Sequence, residues 1–228
     1  MTIWLVTRGQ FRHNSVMLEL GAKTLIAYLI GSLIGSLIVG RLRGGVDIRT
    51  LGSGNPGGTN ALRTQGPAFA AWVMLIDAGK GWIAAALLPG FDLPLIGVDP
   101  GVDRLWLAVA CAAAVVVGHI YPVWYGFRGG KGAATLVGVL LGLKPAALIP
   151  VLVVWLLVVV ISGFVGLATI LAAASFSVYA GLSGADSSLV TFGGCMLLLV
   201  CYTHRSNIER MRAGTEHRAQ RLWLFRPR

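Results

Sequence analysis

The chain has 228 residues, of which 56% are hydrophobic and only 12% are charged. A soluble globular domain carries about 25% charged residues, so most of this protein's surface is expected to face lipid, and a secreted, disordered or nucleic-acid-binding protein is excluded. The formal net charge of +10 then has three explanations: anionic lipid headgroups, an anionic substrate, or membrane topology.

Seven apolar segments predict an all-α integral membrane protein, because a membrane-spanning helix needs about 20 apolar residues. Six of them are clear candidates, in chain order Ala22–Gly40, Pro67–Leu88, Leu105–Gly118, Pro145–Ser162, Phe164–Gly181 and Leu189–Tyr202. The seventh, Ala133–Leu143, is short. We therefore expect about seven transmembrane helices, with six spans and one re-entrant segment as the alternative.

Charge placement predicts the orientation of these helices. The chain divides into an N-terminal extension (1–21), a single polytopic membrane domain (22–203) and a basic tail (204–228). With seven spans, loops 41–66 and 119–132 share one side of the membrane with the tail, and together they hold thirteen of the nineteen basic residues. Since cytoplasmic loops are enriched in Lys and Arg, we expect the C-terminus to be cytoplasmic and the N-terminus to be outside.

A few basic residues oppose this orientation. Arg8, Arg12 and Lys23 would lie on the outer side, contrary to the positive-inside rule. One explanation is that translation starts at Met17 and not at Met1.

The first stretch that suggests chemistry is the loop Gly52–Arg63, with the sequence GSGNPGGTNALR. Its glycines free the backbone to turn several N–H groups toward one centre. Ser53, Asn55 and Asn60 add polar side chains, and Arg63 adds a planar guanidinium suited to phosphate or carboxylate. The composition favours an anion-binding loop over a flexible connector.

The second stretch is Gly118–Thr135, with the sequence GHIYPVWYGFRGGKGAAT. Its glycines surround Lys131 directly before a predicted helix, an arrangement typical of anion-binding sites. The nucleotide-binding pattern GxxxxGK[ST] is not met, because Gly132 follows Lys131. The loop therefore indicates a phosphate site without implying ATP. For His119, at the membrane interface, a structural and a catalytic role both stay open.

Other polar residues stand out in apolar or basic surroundings. Asp77 and Lys80 lie at positions i and i+3 within an apolar span, where ions tend to pair or to serve function. In the tail, Asn207 and Glu216 are residues that a headgroup anchor would not require. No His-x-x-x-x-Asp pair follows His119, and clustered acids for magnesium are missing, so no metal and no cofactor are expected.

Together these stretches resemble the bacterial integral-membrane acyl-phosphate:glycerol-3-phosphate acyltransferases. Four blocks carry the resemblance: Gly52–Arg63, Asp77–Gly81, Gly118–Thr135 and Asn207–Glu216. It implies seven helices, with catalytic loops on the cytoplasmic face of the bacterial cytoplasmic (inner) membrane. The implied reaction transfers a fatty acyl group from acyl phosphate to the sn-1 hydroxyl of glycerol 3-phosphate, giving lysophosphatidate and phosphate in phospholipid biosynthesis. The implied partners are these two substrates and membrane lipids, with no nucleic acid and no metal.

The resemblance also implies individual site residues. Lys131, Arg63 and His119 are expected to be catalytic. The expected substrate-binding residues are Ser53, Gly54, Asn55, Asn60, Gly129, Gly130, Thr169, Asn207 and Glu216. Where the family carries Y-V-S-L-x-S, this chain has FVGLAT at Phe164–Thr169. Gly166 thus replaces the first serine, whose hydrogen bond would be lost, and Thr169 keeps the second hydroxyl.

In the implied mechanism, Arg63 and Lys131 bind phosphate and stabilise the charge that develops in the transition state. Either the departing phosphate or His119 accepts the alcohol proton, and the acyl chain lies between helices. A transporter or channel for a phosphorylated metabolite is a second possible class of function, although the binding site of a transporter would be expected at the membrane midplane. A non-catalytic lipid-binding scaffold is a third, and it would not need the long Gly/Lys/Asn motifs.

Overall fold

The structure is a computed structural model that describes residues 2–220 and 222–225, with side chains from residue 15 onward. The described residues form ten α-helices: α1 (Thr2–Gly31), α2 (Gly35–Leu42), α3 (Gly58–Gln65), α4 (Pro67–Trp82), α5 (Arg104–Ile120), α6 (Ala133–Leu143), α7 (Leu148–Ser162), α8 (Val165–Leu182), α9 (Ser187–Thr203) and α10 (Arg205–Arg212). Apart from one isolated bridge between Leu93 and Gly97, β-structure is absent from these residues. The predicted all-α class is confirmed.

Several of these helices are long and apolar enough to cross a membrane. Four continuous stretches qualify: Pro67–Gly90, Arg104–Tyr125, Pro145–Ser162 and Val165–Leu182. Two bent pairs, Ser15–Gly31 with α2 and α9 with α10, raise the number to six in the described part of the chain. Helix α6 is apolar but has only 11 residues. The membrane character is confirmed, while the count of seven and the orientation stay predictions.

The first predicted span, Ala22–Gly40, is broken where the sequence predicted one continuous helix. Helices α1 and α2 meet at an angle of 47° across the short link Ser32–Ile34. Ahead of the break, α1 packs backbone to backbone on α5: a Cβ on Gly31 would lie 2.2 Å from the carbonyl oxygen of Val115. Small residues permit such close approach between membrane helices.

Two charged side chains of α4 satisfy the backbone at this break. Lys80 Nζ donates to the carbonyl oxygen of Leu33 at 2.6 Å, and the N–H of Gly35 donates to Asp77 Oδ1 at 3.1 Å. Asp77 and Lys80 also form an ion pair of 2.9 Å. Because unpaired backbone groups are costly inside a bilayer, the pair explains both the break in the helix and the charges within an apolar span.

Helix α1 continues through residue 21, so the boundary predicted there between extension and membrane domain falls inside a helix. The side chains of Arg8 and Arg12, and Met1 altogether, lie outside the described residues.

Lys23 does not contribute an exposed charge to the outer side. It is fully buried, with Nζ 2.7 Å from Glu19 Oε1 and 2.9 Å from the carbonyl oxygen of Pro89. Glu19 also binds the guanidinium of Arg104 at 2.6 Å. The charge is neutralised within the protein, so Lys23 is weak evidence against the predicted orientation.

Glycines bring α4 and α6 into direct backbone contact. A Cβ on Gly81 would lie 2.2 Å from the carbonyl oxygen of Thr135, and a Cβ on Gly138 would lie 1.8 Å from that of Ala78. No larger residue fits at either position without moving a helix. The contact fixes the loop before α6 beside the buried charges of α4.

Candidate active site

The two glycine-rich loops and the tail enclose a polar cavity of about 110 Å³. Nine of the twelve predicted site residues line it: Ser53, Asn55, Asn60, Arg63, His119, Lys131, Thr169, Asn207 and Glu216. The other three, Gly54, Gly129 and Gly130, do not reach it. Segments far apart in the chain are thus brought together around one space.

Three helix N-termini converge on this cavity. Its lining includes Gly57 and Gly58 at the start of α3, Ala133 at the start of α6, and Val165 and Gly166 at the start of α8. In none of the three helices does the N-cap side chain bind the backbone. The first N–H groups of a helix have no partner within it, and each N-terminus acts like about +0.5 of a charge. Such an arrangement of helix N-termini favours the binding of an anion.

Lys131 is held at the cavity by a chain of polar contacts from the tail. Its Nζ donates to Asn207 Oδ1, and Asn207 Nδ2 donates to Glu216 Oε1 at 2.6 Å. Arg210 Nε completes the chain by donating to Glu216 Oε2 at 2.6 Å. Burial, together with the nearby charge of Arg210, lowers the pKa of Lys131 to about 8. This cation is thus oriented by the tail and partly desolvated.

Arg63, the second predicted cation, stands in the last turn of α3 and lines the same cavity with an exposed side chain. Within residues 15–220 and 222–225, no acidic side chain pairs with its guanidinium. Its hydrogen-bond donors therefore remain available to an anionic ligand.

Asn60 shapes the first loop, and its polar atoms are used within the chain. Its Nδ2 donates to the carbonyl oxygens of Ile48 (3.1 Å) and Leu51 (3.0 Å), while its Oδ1 accepts from the N–H of Ser53 at 3.0 Å. Gly54 lies outside the cavity, where it adopts φ +72° and donates to Leu51. Both residues hold the loop so that Ser53 reaches the cavity.

His119 meets the buried pair of α4 at the inner wall. Its Nδ1 lies 2.9 Å from Lys80 Nζ and 3.4 Å from Asp77 Oδ1, and Asp77 also lines the cavity. The sequence showed no His-x-x-x-x-Asp pair, yet the fold joins a His and an Asp from different helices. The sequence signals for its members were the two charges in an apolar span and His119 in the second glycine-rich stretch, but nothing in the sequence showed that they meet.

Gly129 and Gly130 pack against His119 and not against the cavity. Their N–H groups donate to the carbonyl oxygens of Ile120 (3.0 Å) and His119 (3.1 Å). A Cβ on Gly130 would lie 2.2 Å from His119 Nε2, and a Cβ on Gly129 would lie 2.0 Å from the His119 carbonyl oxygen. Both N–H groups are thus used within the protein, and the expected contact of these glycines with substrate stays a prediction. These glycines let the loop dock on α5 and place Lys131.

The cavity also includes residues that were not among the predicted site residues. Those with charged or imidazole side chains are Asp77, His204, Arg210 and His217, and the others include Thr59 and Gly166. Arg210 belongs to the Asn207–Glu216 block, so the motif contained a signal for it. His204 and His217 stand in the basic tail, where nothing in the local pattern distinguishes a cavity residue from a headgroup contact.

A second cavity, apolar and of about 310 Å³, continues from the first between α6, α7, α8 and α9. Both cavities share Thr59, Ala133, Val165 and Thr169 in their walls. Along α8 the apolar lining runs from Val165 to Phe176, a rise of about 16 Å at ~1.5 Å per residue. This is roughly half the ~30 Å hydrocarbon core of a bilayer.

Known proteins share this sequence over most of its length. A family model described as glycerol-3-phosphate acyltransferase matches residues 22–214. The glycerol-3-phosphate acyltransferase of Chlorobaculum tepidum is 38% identical over 225 residues, which cover 89% of this chain and 97% of the relative. That of Chlorobaculum parvum is 36% identical with the same coverage.

Solved structures share the fold as well. A crystal structure of PlsY (YgiH), an integral membrane glycerol 3-phosphate acyltransferase, in its glycerol 3-phosphate form has a TM-score of 0.76 and 33% identity, covering 87% of this chain and 94% of the other. Its lysophosphatidic acid form has a TM-score of 0.73 and 32% identity with the same coverage. The resemblance expected from the four sequence blocks is confirmed, and the chain belongs to the glycerol-3-phosphate acyltransferase family.

Proposed function

We propose that the protein transfers a fatty acyl group from acyl phosphate to the sn-1 hydroxyl of glycerol 3-phosphate, giving lysophosphatidate and inorganic phosphate. The observation that carries this proposal is the junction, at Thr169, of a polar cavity lined by Arg63 and Lys131 with an apolar cavity. A phosphorylated alcohol fits the polar part and a fatty acyl chain fits the apolar part. The reacting ester bond forms where the two meet.

Arg63 and Lys131 bind the phosphate groups and stabilise the charge that develops as the tetrahedral intermediate forms. The sn-1 oxygen attacks the carbonyl carbon of acyl phosphate. A new C–O ester bond forms, and the bond from the carbonyl carbon to the phosphate oxygen breaks. Acyl phosphate is a mixed anhydride with a good leaving group, so little help from a protein base is needed.

The departing phosphate takes the alcohol proton in this mechanism. The alternative proton acceptor, His119, is poorly placed for this task. One of its ring nitrogens faces the ammonium group of Lys80, and an ammonium group only donates hydrogen bonds. With the Lys80 ammonium as the donor, Nδ1 of His119 is the acceptor. The other ring nitrogen, Nε2, is packed against Gly130. His119 instead supports the loop that carries Lys131.

The proposed setting is the bacterial cytoplasmic (inner) membrane, where the protein is multi-pass and acts in phospholipid biosynthesis. The cavity is lined by residues of loops 41–66 and 119–132 and of the tail, and these three segments hold thirteen of the nineteen basic residues. The positive-inside rule favours the cytoplasm for these segments. Glycerol 3-phosphate then enters from the cytoplasm, and the acyl chain occupies the apolar cavity from the lipid side.

The proposal is tested with purified protein, palmitoyl phosphate and glycerol 3-phosphate, with the product identified by mass spectrometry. Lysophosphatidate and inorganic phosphate are expected in equal amounts, with EDTA leaving the rate unchanged. Palmitoyl-CoA serves as the comparison donor and should give little or no product. Activity with palmitoyl-CoA but not with palmitoyl phosphate would contradict the proposed acyl-phosphate donor. Uptake of glycerol 3-phosphate into proteoliposomes without acyl phosphate would favour a transporter.

A further inference from the structure

Gly166 stands in the first turn of α8, where its backbone is helical and does not need a glycine. Glycine is one of the poorest helix formers, so a different reason must account for it. The space around it supplies one. A Cβ at this position would lie 2.8 Å from Asn207 Cβ, 2.9 Å from its Cγ and 2.9 Å from its Nδ2. Asn207 occupies the volume that any side chain at 166 would need.

In the position set by this contact, both polar atoms of the Asn207 amide form hydrogen bonds. Its Oδ1 accepts from Lys131 Nζ, and its Nδ2 donates to Glu216 at 2.6 Å. It lies on α10, which leaves the axis of α9 at an angle of 52°. The bend turns α10 toward the start of α8, where Gly166 allows the two helices to touch.

We propose that Gly166 is a positioning residue for phosphate binding: the absence of its side chain seats Asn207 against α8, and Asn207 in turn fixes Lys131 at the polar cavity. The inference rests on the proposed function in taking Lys131 as a ligand of a substrate phosphate. It also explains in physical terms why glycine stands here in place of the serine of the family pattern. At this position the chain has room for the amide of Asn207 and none for a hydroxymethyl group.

Two variants distinguish the steric effect of a side chain at position 166 from the effect of the missing serine hydroxyl. Gly166→Ala and Gly166→Ser both push Asn207 away, so both should weaken glycerol 3-phosphate binding about tenfold, the size of one lost hydrogen bond to a charged group. The KM for glycerol 3-phosphate should rise by the same factor. If Gly166→Ser binds as well as the wild type or better, the proposal is wrong and the missing hydroxyl is what matters.

The matched control is Gly181→Ala, on the same helix. No atom lies within 4 Å of a Cβ at that position, so binding and KM should stay within twofold of the wild type. A tenfold loss of affinity at Gly181 would mean that α8 tolerates no added methyl group. The loss at Gly166 could then not be assigned to its contact with Asn207.

A double-mutant cycle tests whether Gly166 acts through Asn207. Asn207→Gly removes both the amide and the Cβ that would clash, so adding Gly166→Ala to it should cost less than twofold more in affinity. A further tenfold loss in that background would overturn the proposal. If Gly166→Ala alone fails to fold, Asn207→Ala carries the test, because it adds no atom: it must lose affinity about tenfold, and unchanged affinity counts against the proposal.

Binding of glycerol 3-phosphate is measured by calorimetry without any acyl donor. This arrangement keeps the two proposals apart. A wild type that binds glycerol 3-phosphate but never uses palmitoyl phosphate refutes the proposed donor, while the Gly166 comparison still stands. A wild type with full activity whose Gly166 variants bind equally well refutes only the role of Gly166.

Discussion

Lys80 donates a 2.6 Å hydrogen bond to the carbonyl oxygen of Leu33, at the break between α1 and α2. Its ion-pair partner, Asp77, accepts from Gly35 on the other side of the same break. One ion pair thus satisfies both ends of an interrupted helix, and it also supports His119 at the cavity wall.

Lys80→Met should destabilise the protein strongly, because it leaves Asp77, only 1% exposed, as an unpaired buried charge. Removing one partner of a buried pair costs about 3–5 kcal/mol. Thermal unfolding in detergent measures the loss. The double variant Asp77→Leu with Lys80→Met removes both charges and should recover part of the stability. A single variant that melts like the wild type would contradict this role.

The activity should fall at alkaline pH because Lys131 loses its charge. Burial lowers the pKa of this side chain to about 8, so Lys131 is cationic below that pH and becomes neutral as the pH rises through it. In the proposed mechanism, phosphate binding requires the cation. The pH dependence of kcat/KM for glycerol 3-phosphate should therefore show an alkaline limb near pH 8, well below the usual range of lysine.

Arg210→Gln should move this alkaline limb to higher pH. The charge of Arg210 lowers the pKa of Lys131, whereas Glu216 raises it and Arg205 lowers it further. Removing Arg210 takes away one repulsive charge and frees Glu216 from its ion pair. An alkaline limb that stays in place would show that another group controls it.

Arg63→Ala and Lys131→Ala should each lose most activity while the protein still inserts into the membrane. A donor that stabilises transition-state charge contributes about 10²–10³-fold in kcat. Arg43→Ala is the matched control, since Arg43 is an exposed arginine of the same loop region that does not line the cavity. Turnover is compared at equal amounts of purified protein. A wild-type rate in either cavity variant would remove that residue from the mechanism.

Ala173→Phe should shorten the acyl chains that the protein accepts. Ala173 lines the apolar cavity on α8, and each methylene excluded from such a site loses about 0.8 kcal/mol. Exclusion of two methylenes lowers kcat/KM for palmitoyl phosphate about tenfold, while octanoyl phosphate should be affected little. Leu171→Phe, on the exposed side of the same helix, is the control. Equal losses for both donors would contradict the assignment of this cavity to the acyl chain.

Hydropathy predicted where the apolar helices lie, because apolar length decides which segments partition into lipid. It did not predict the break after Gly31, since Ser32–Ile34 reads as apolar as its neighbours. The backbone groups freed there find their partners on α4, and such a distant contact leaves no mark in the local pattern.

The site was predicted in a similarly uneven way. The motifs identified Arg63, Lys131 and Asn207, whose side chains reach the cavity. They also included Gly129 and Gly130, whose N–H groups turn to carbonyl oxygens of α5. A glycine in a motif shows that the backbone must pass close to something, but not whether that neighbour is a ligand or another helix.

The wall shared by the polar and the apolar cavity has a consequence for the proposed reaction. At this wall a polar environment meets an apolar one, as at the surface of a lipid bilayer. Neither substrate has to leave its own solvent, since the phosphorylated alcohol stays hydrated and the fatty chain stays in a hydrocarbon environment. The product is therefore made with its headgroup and its tail already facing the phases that they occupy as a membrane lipid.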